Sequence, residues 1–167
     1  MIFAAGLGTR LKPLTDTMPK ALVPVAGKPM LEHVILKLKA AGFNEIVVNV
    51  HHFANQIIEF LKEKNDFGIT IHISDETDLL LDTGGGIKKA ASFFTGNEPF
   101  LVHNVDILSN VDLKALYEYH LTSGNDATLL VSPRKTTRYL LFDHANHLCG
   151  WINKETLQTK PEGFIYA

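Results

Sequence analysis

Cysteine is almost missing from this 167-residue chain: Cys149 stands alone. A single thiol closes no internal disulfide and builds no cysteine metal cluster, so a reducing compartment, the cytoplasm, is expected. Long apolar runs are missing as well. Nothing approaches the roughly 20 residues that span a bilayer, and the apolar start Met1-Ile2-Phe3-Ala4-Ala5 is too short and lacks the basic flank of a signal peptide. Positive charge is scarce too. Sixteen Lys and Arg against eighteen Asp and Glu leave a net charge of −2, with no basic field for nucleic acid or an anionic membrane. Any bound anion needs a local site. Repeats, low-complexity tracts and linkers are absent, and a 46% hydrophobic, 20% charged composition suits a globular domain.

What is present alternates. Met1–Ala5 reads as a buried strand, and Gly6 to Pro29, with four of the seven prolines, reads as loop. Met30, Leu31, Val34, Ile35 and Leu38 share a helical face, with Gly42 placed to end the helix. Strand patterns at Glu45–Val50, Ile69–Ile73, Phe100–Val102 and Ala127–Val131 alternate with helical ones around Ile57–Leu61, over Gly84–Phe94 and through Leu113–Tyr117. Tyr139–Phe142 and Leu148–Ile152 suggest a hairpin around Asp143–His147. The order predicts one three-layer α/β/α, Rossmann-like domain over 1–167, with a mostly parallel, mixed sheet. The last residues, Gly163–Ala167, form an apolar strand-like run with no turn or polar tail, so a C-terminal truncation is expected.

The first loop carries the strongest chemical signal. Gly6 and Gly8 follow the first strand, where glycine lets backbone N–H groups close around an anion. Thr9 adds a hydroxyl, and Arg10 and Lys20 add a forked and a point-like cation. A dinucleotide fingerprint fails because Leu11 stands where its third glycine belongs, which counts against a nicotinamide-dependent oxidoreductase. A P-loop fails at Gly27-Lys28, with Leu22 and Pro29 at its defining positions. A plain tight turn accounts for two glycines, but not for the cations gathered in the same loop.

Two other segments stand out. Asp106 follows the apolar Leu101-Val102 run, where α/β sheets bind ligands; facing a phosphate loop, it calls for an intervening cation such as Mg²⁺. Capping a helix or turn is the alternative role. Gly84-Gly85-Gly86 suggests close approach of a ligand or backbone, or a flexible entry loop. His51-His52 lacks a metal-ligand pattern and reads as structural, and Trp151 reads as core. Asp75 and Glu76 fit a base-facing segment or a solvated loop.

Taken together, Gly6-Leu7-Gly8-Thr9-Arg10-Leu11, Pro13-Leu14-Thr15 and Pro19-Lys20-Ala21-Leu22-Val23-Pro24-Val25, running on to Gly27-Lys28-Pro29-Met30, resemble the signature of the sugar-1-phosphate nucleotidyltransferase family. The resemblance implies that Gly6, Gly8 and Thr9 wrap a nucleoside triphosphate with Arg10 on its β/γ side. It implies that Lys20 bridges the α-phosphate and the sugar phosphate. Asn104-Val105-Asp106 resembles the family's metal-binding segment, usually Asn-Gly-Asp, and implies Mg²⁺ on Asp106. Leu81-Asp82-Thr83-Gly84-Gly85-Gly86-Ile87 resembles the element lining the base and sugar pocket, with Gly84 and Gly85 in contact. Its form is most like N-acetylmuramate 1-phosphate uridylyltransferases of peptidoglycan recycling, which implies UTP. The family's second metal aspartate is expected beyond residue 167. Guanylyl, cytidylyl or thymidylyl transfer, or a non-catalytic homologue that senses nucleotide sugars, are the alternatives.

Overall fold

The computed structural model describes residues 1–162 and forms two compact units, Met1–Asp126 and a second from Ala127 onward. The strand expected at Gly163–Ala167 lies outside the described residues.

The first unit is built on a parallel four-stranded sheet. Its strands are β1 (Ile2–Phe3), β4 (Glu45–Val50), β5 (Thr70–Asp75) and β6 (His103–Asn104), in the order β5-β4-β1-β6. Between β1 and β4 the chain forms a small hairpin, β2 (Pro24–Val25) with β3 (Lys28–Pro29), then helix α1 (Met30–Ala40). Helix α2 (Ala54–Glu63) links β4 to β5. Helix α3 (Asp82–Lys89) follows β5, and α4 (Leu113–Ser123) follows β6.

Side chains alternate across β4, and that alternation makes three layers. Ile46, Val48 and Val50 join Ile2 and the apolar faces of α1 and α2 in the main core. Val47 points the other way and packs with Phe3, Ile87 and the Ala90–Phe94 turn beyond α3. Helix α1 ends as expected: Gly42 has φ +95°, its N–H reaches the Lys39 carbonyl at 3.0 Å, and the Phe43 N–H reaches Leu38 at 3.0 Å. Helix α4 starts at Asp112, whose carboxylate accepts the Ala115 N–H at 3.0 Å. Asp112→Ala is expected to cost about 1 kcal/mol, read by chemical denaturation, with m unchanged.

The second unit is an antiparallel sheet of β7 (Arg138–Phe142), β8 (Leu148–Asn153) and β9 (Gln158–Lys160). Asp143 closes the first turn by accepting the Ala145 and His147 N–H groups at 2.9 and 2.8 Å. The His147 N–H, foremost, holds its carboxyl below the usual carboxylate range.

Three expectations need correction. Phe100–Val102 is not a strand, because the ladder with β1 is set by Ile2↔His103 and Phe3↔Asn104, displacing β6 toward Asp106. Ala127–Val131 is apolar but enters no ladder; Leu129, Leu130 and Val131 are exposed, and β-propensity makes no strand without a hydrogen-bonded neighbour. The glycine cluster does not initiate α3 but lies within it, two residues after Asp82.

Candidate active site

Strand order locates the site. The chain leaves β1 toward β4 and β5 on one side, and β6 returns on the other, so succession reverses between β1 and β6. In open α/β sheets ligands bind at the carboxyl ends of strands at such a point. There the structure has a cavity of about 250 Å³, lined by Phe3, Ala4 and Gly6 at the end of β1 and beyond it, by Asn104, Val105 and Asp106 at the end of β6 and beyond it, and by Lys20. A second cavity of about 210 Å³ lies at the opposite strand ends, lined by Met1, Phe43, Glu45, Phe94, Phe100 and Tyr117 among others. Topology and charge both favour the first.

Lys20 and Asp106 form an ion pair in that cavity, 86 residues apart in sequence. Lys20 opens a short 3₁₀ turn, Lys20–Leu22, whose Ala21 is fully buried, so its backbone is anchored while the ammonium stays within reach of solvent. The loop before it is folded on itself. The Gly8 carbonyl accepts the Leu11 N–H at 2.8 Å and the Thr15 hydroxyl at 2.9 Å, and Thr15 is 2% exposed. Gly8 has φ +67°, and a Cβ there would lie 2.8 Å from Thr15 Cγ2 and 3.0 Å from Lys20 Cβ. The N–H groups of Gly6, Leu7 and Gly8 meet no acceptor among the described residues. Those of Ala4 and Ala5 are taken by the Asn49 side chain.

The cavity thus unites Gly6, Lys20, Asn104 and Asp106 among the residues the sequence singles out. Gly8 is outside its lining and packs against Thr15 and Lys20. Thr9 and Arg10 are exposed on the outer turn, Thr9–Leu11, and do not line it. Gly84 and Gly85 are also outside its lining: Gly84 is exposed, and Gly85 faces Leu81. His51 has a structural contact, its Nδ1 lying 2.6 Å from the Glu76 carbonyl. Asp75 is exposed and accepts the Thr77 N–H at 2.8 Å, which lowers its pKa.

Sequence reasoning missed the roles of Thr15, Asn49 and Glu76. Asn49 carried a visible signal, an amide interrupting the apolar run Ile46-Val47-Val48-Asn49-Val50 of a buried strand.

His103, on β6, is 8% exposed with Nδ1 2.7 Å from the Asn104 carbonyl. Burial, its largest influence, pushes the imidazole below the usual histidine value. The unfolded chain then takes up a proton near pH 6.5 that the folded chain refuses, so stability is retained above that pH and lost below it. Melting temperature is expected to fall from pH 7 to pH 5, and less steeply in His103→Gln.

A divalent cation can be tested against these donors. Among the described residues, no three His, Cys, Asp or Glu side chains converge to hold a metal. Mg²⁺, however, is commonly held by one or two carboxylates completed by substrate phosphates, and Asp106 supplies one.

The model of the nucleotidyl transferase family matches residues 1–142. An N-acetylmuramate alpha-1-phosphate uridylyltransferase of Neisseria meningitidis serogroup B is 44% identical over 118 residues, covering 71% of this chain and 51% of that protein. A mannose-1-phosphate guanyltransferase of Gibberella zeae is 40% identical over 134 residues, covering 79% and 36%. The crystal structure of HddC from Yersinia pseudotuberculosis complexed with GMP-PN superposes with a TM-score of 0.73 at 30% identity, over 92% of this chain and 68% of that one. The chain spans about half the length of the uridylyltransferase and about a third of the guanyltransferase. No helix among the described residues is long and apolar enough to cross a membrane. With its Rossmann-like parallel sheet and matching signature, the chain belongs to the nucleotidyl transferase family.

Proposed function

We propose that this chain carries the triphosphate site of an enzyme that transfers a nucleotidyl group from a nucleoside triphosphate to a sugar 1-phosphate, releasing pyrophosphate. The observation that carries the reading is the meeting, at the reversal point of the sheet, of Lys20, Asp106 and Gly6, whose N–H meets no acceptor among the described residues. An oxygen of the sugar phosphate attacks the α-phosphorus in line. The bond to the bridging oxygen breaks, and pyrophosphate leaves with that electron pair. Such transfers depend on positioning and charge stabilisation.

Lys20 stabilises charge at the α-phosphoryl group, and an incoming phosphate competes with Asp106 for its ammonium. Gly6, Gly8 and Thr9 surround the triphosphate, and Arg10 steadies the departing pyrophosphate from the rim. Gly84 and Gly85 belong to the base and sugar side, and Asn104 borders the carboxylate. Asp106 would hold Mg²⁺, which would supply neutralising charge at the reacting phosphates. With one unpaired cysteine, we place the reaction in the cytoplasm.

For substrates, UTP with N-acetylmuramate 1-phosphate is supported by the Leu81–Ile87 run and by the named activity of the Neisseria relative. That pair would place the enzyme in peptidoglycan recycling. Guanylyl transfer is the second reading, favoured by the fungal relative and by the GMP-PN complex of HddC. A pyrophosphate-release screen of the four triphosphates against muramic acid, glucose, mannose and heptose 1-phosphates separates them. The largest signal is expected with UTP and N-acetylmuramate 1-phosphate. GTP with mannose or heptose phosphate would select the second reading, and tight nucleotide-sugar binding without turnover would replace both with a sensor.

A further inference from the structure

Glu76 is fully buried, yet it forms no ion pair among the described residues. An uncompensated buried carboxylate is costly, so its hydrogen bonds must account for it. Its Oε1 accepts the Asn49 amide at 2.8 Å, and its Oε2 accepts the Leu81 N–H at the entry of α3 at 3.2 Å. Asn49, 2% exposed on β4, turns its Oδ1 to the Ala4 and Ala5 N–H groups at 2.7 and 3.2 Å. Only the oxygen end of the amide can accept there, so its NH₂ must face Glu76, and only an acceptor suits Glu76's position. Gly86 lies against both. A Cβ on it would sit 2.9 Å from Glu76 Oε1 and 3.2 Å from Asn49 Nδ2, so the third glycine of the cluster makes room for this pair.

We infer that Asn49 and Glu76 are positioning residues that fix the entry of the Gly6–Arg10 loop and tie it to α3. The inference rests on reading that loop as a triphosphate cradle. The pair spends its polarity on Ala4 and Ala5, so those amides stay in place while the following N–H groups face the ligand. Through Leu81 and Gly86, the same carboxylate couples the phosphate side of the site to the helix bearing the glycine cluster.

A reciprocal exchange tests it. Asn49→Asp sets two carboxylates against each other. Glu76→Gln leaves one oxygen to satisfy two donors, with its NH₂ facing a donor. In the double variant, the carboxylate introduced on β4 accepts from Ala4, Ala5 and the NH₂ of the amide introduced after β5. The oxygen of that amide accepts the Leu81 N–H, so every bond is restored with the same net charge. The readouts are UTP dissociation constants and hydrogen exchange at the Ala4 and Ala5 amides. Each single variant is expected to bind about tenfold more weakly and to exchange faster, and the double variant to return within about threefold of wild type. A double variant that misfolds, or binds and exchanges no better than Glu76→Gln alone, overturns the inference; this comparison stands even if Asn49→Asp fails to fold. Absence of triphosphate binding in the wild type would instead overturn the proposed function, and exchange at Ala4 and Ala5 would still decide the pair.

Discussion

Lys20→Ala is expected to lower pyrophosphate release about a hundred- to a thousandfold while the protein keeps its fold. The two halves of that expectation have separate causes. Lys20 and Asp106 are 19% and 36% exposed, and a pair so open to solvent contributes at most about 1 kcal/mol to stability. The buried part of its turn is Ala21, which the substitution leaves alone. In the proposed mechanism the same ammonium faces charge that grows at the α-phosphoryl group, where removing one preorganised donor typically costs that range of turnover. Turnover and a melting curve on the same sample check both halves. Near-normal turnover would remove Lys20 from the mechanism, and a collapsed melting curve would show that the pair is structural.

Gly8→Ala is expected to lower turnover by roughly a hundredfold and to destabilise the protein by about 1–2 kcal/mol. The backbone at φ +67° already disfavours a side chain, and the added methyl collides with Thr15 and with the Cβ of Lys20. Thr15 cannot yield readily, being buried and bonded to the Gly8 carbonyl. The loop must therefore shift and carry Lys20 with it; displacement of a catalytic group by about 1 Å is enough for a hundredfold loss. Gly27→Ala is the control. Its φ of +81° imposes similar backbone strain, but nothing lies within 4 Å of the new Cβ, so stability should fall without the loss of turnover.

Local pattern revealed the elements whose cause is local. Helix α1 and its glycine stop, β4 and Gly8 were legible from periodicity and from residues with one conformational use. Lys20 and Asp106 were legible separately, and the sheet's strand order explains why they meet. Asn49 and Glu76 were not legible as a pair. Glu76 is buried because α3 folds over it and β4, 27 residues earlier, faces it, and the Asp75-Glu76-Thr77 sequence carries no trace of either. Strand β9 was missed because Gln158–Lys160 has no apolar alternation and owes its conformation to β8. Ala127–Val131 failed for the converse reason: a favourable composition had no ladder to join.

The central strand has a consequence for how this protein is made. Within this chain β1 precedes both of its neighbours in the ladder, Val48 on one side and His103 on the other. At ribosomal speeds of about 5–20 residues per second, the second neighbour follows several seconds later. Through that interval the glycine loop after β1 has no β6 to face. The meeting of Lys20 with Asp106 therefore waits for β6, and the loop is made well before the carboxylate it faces.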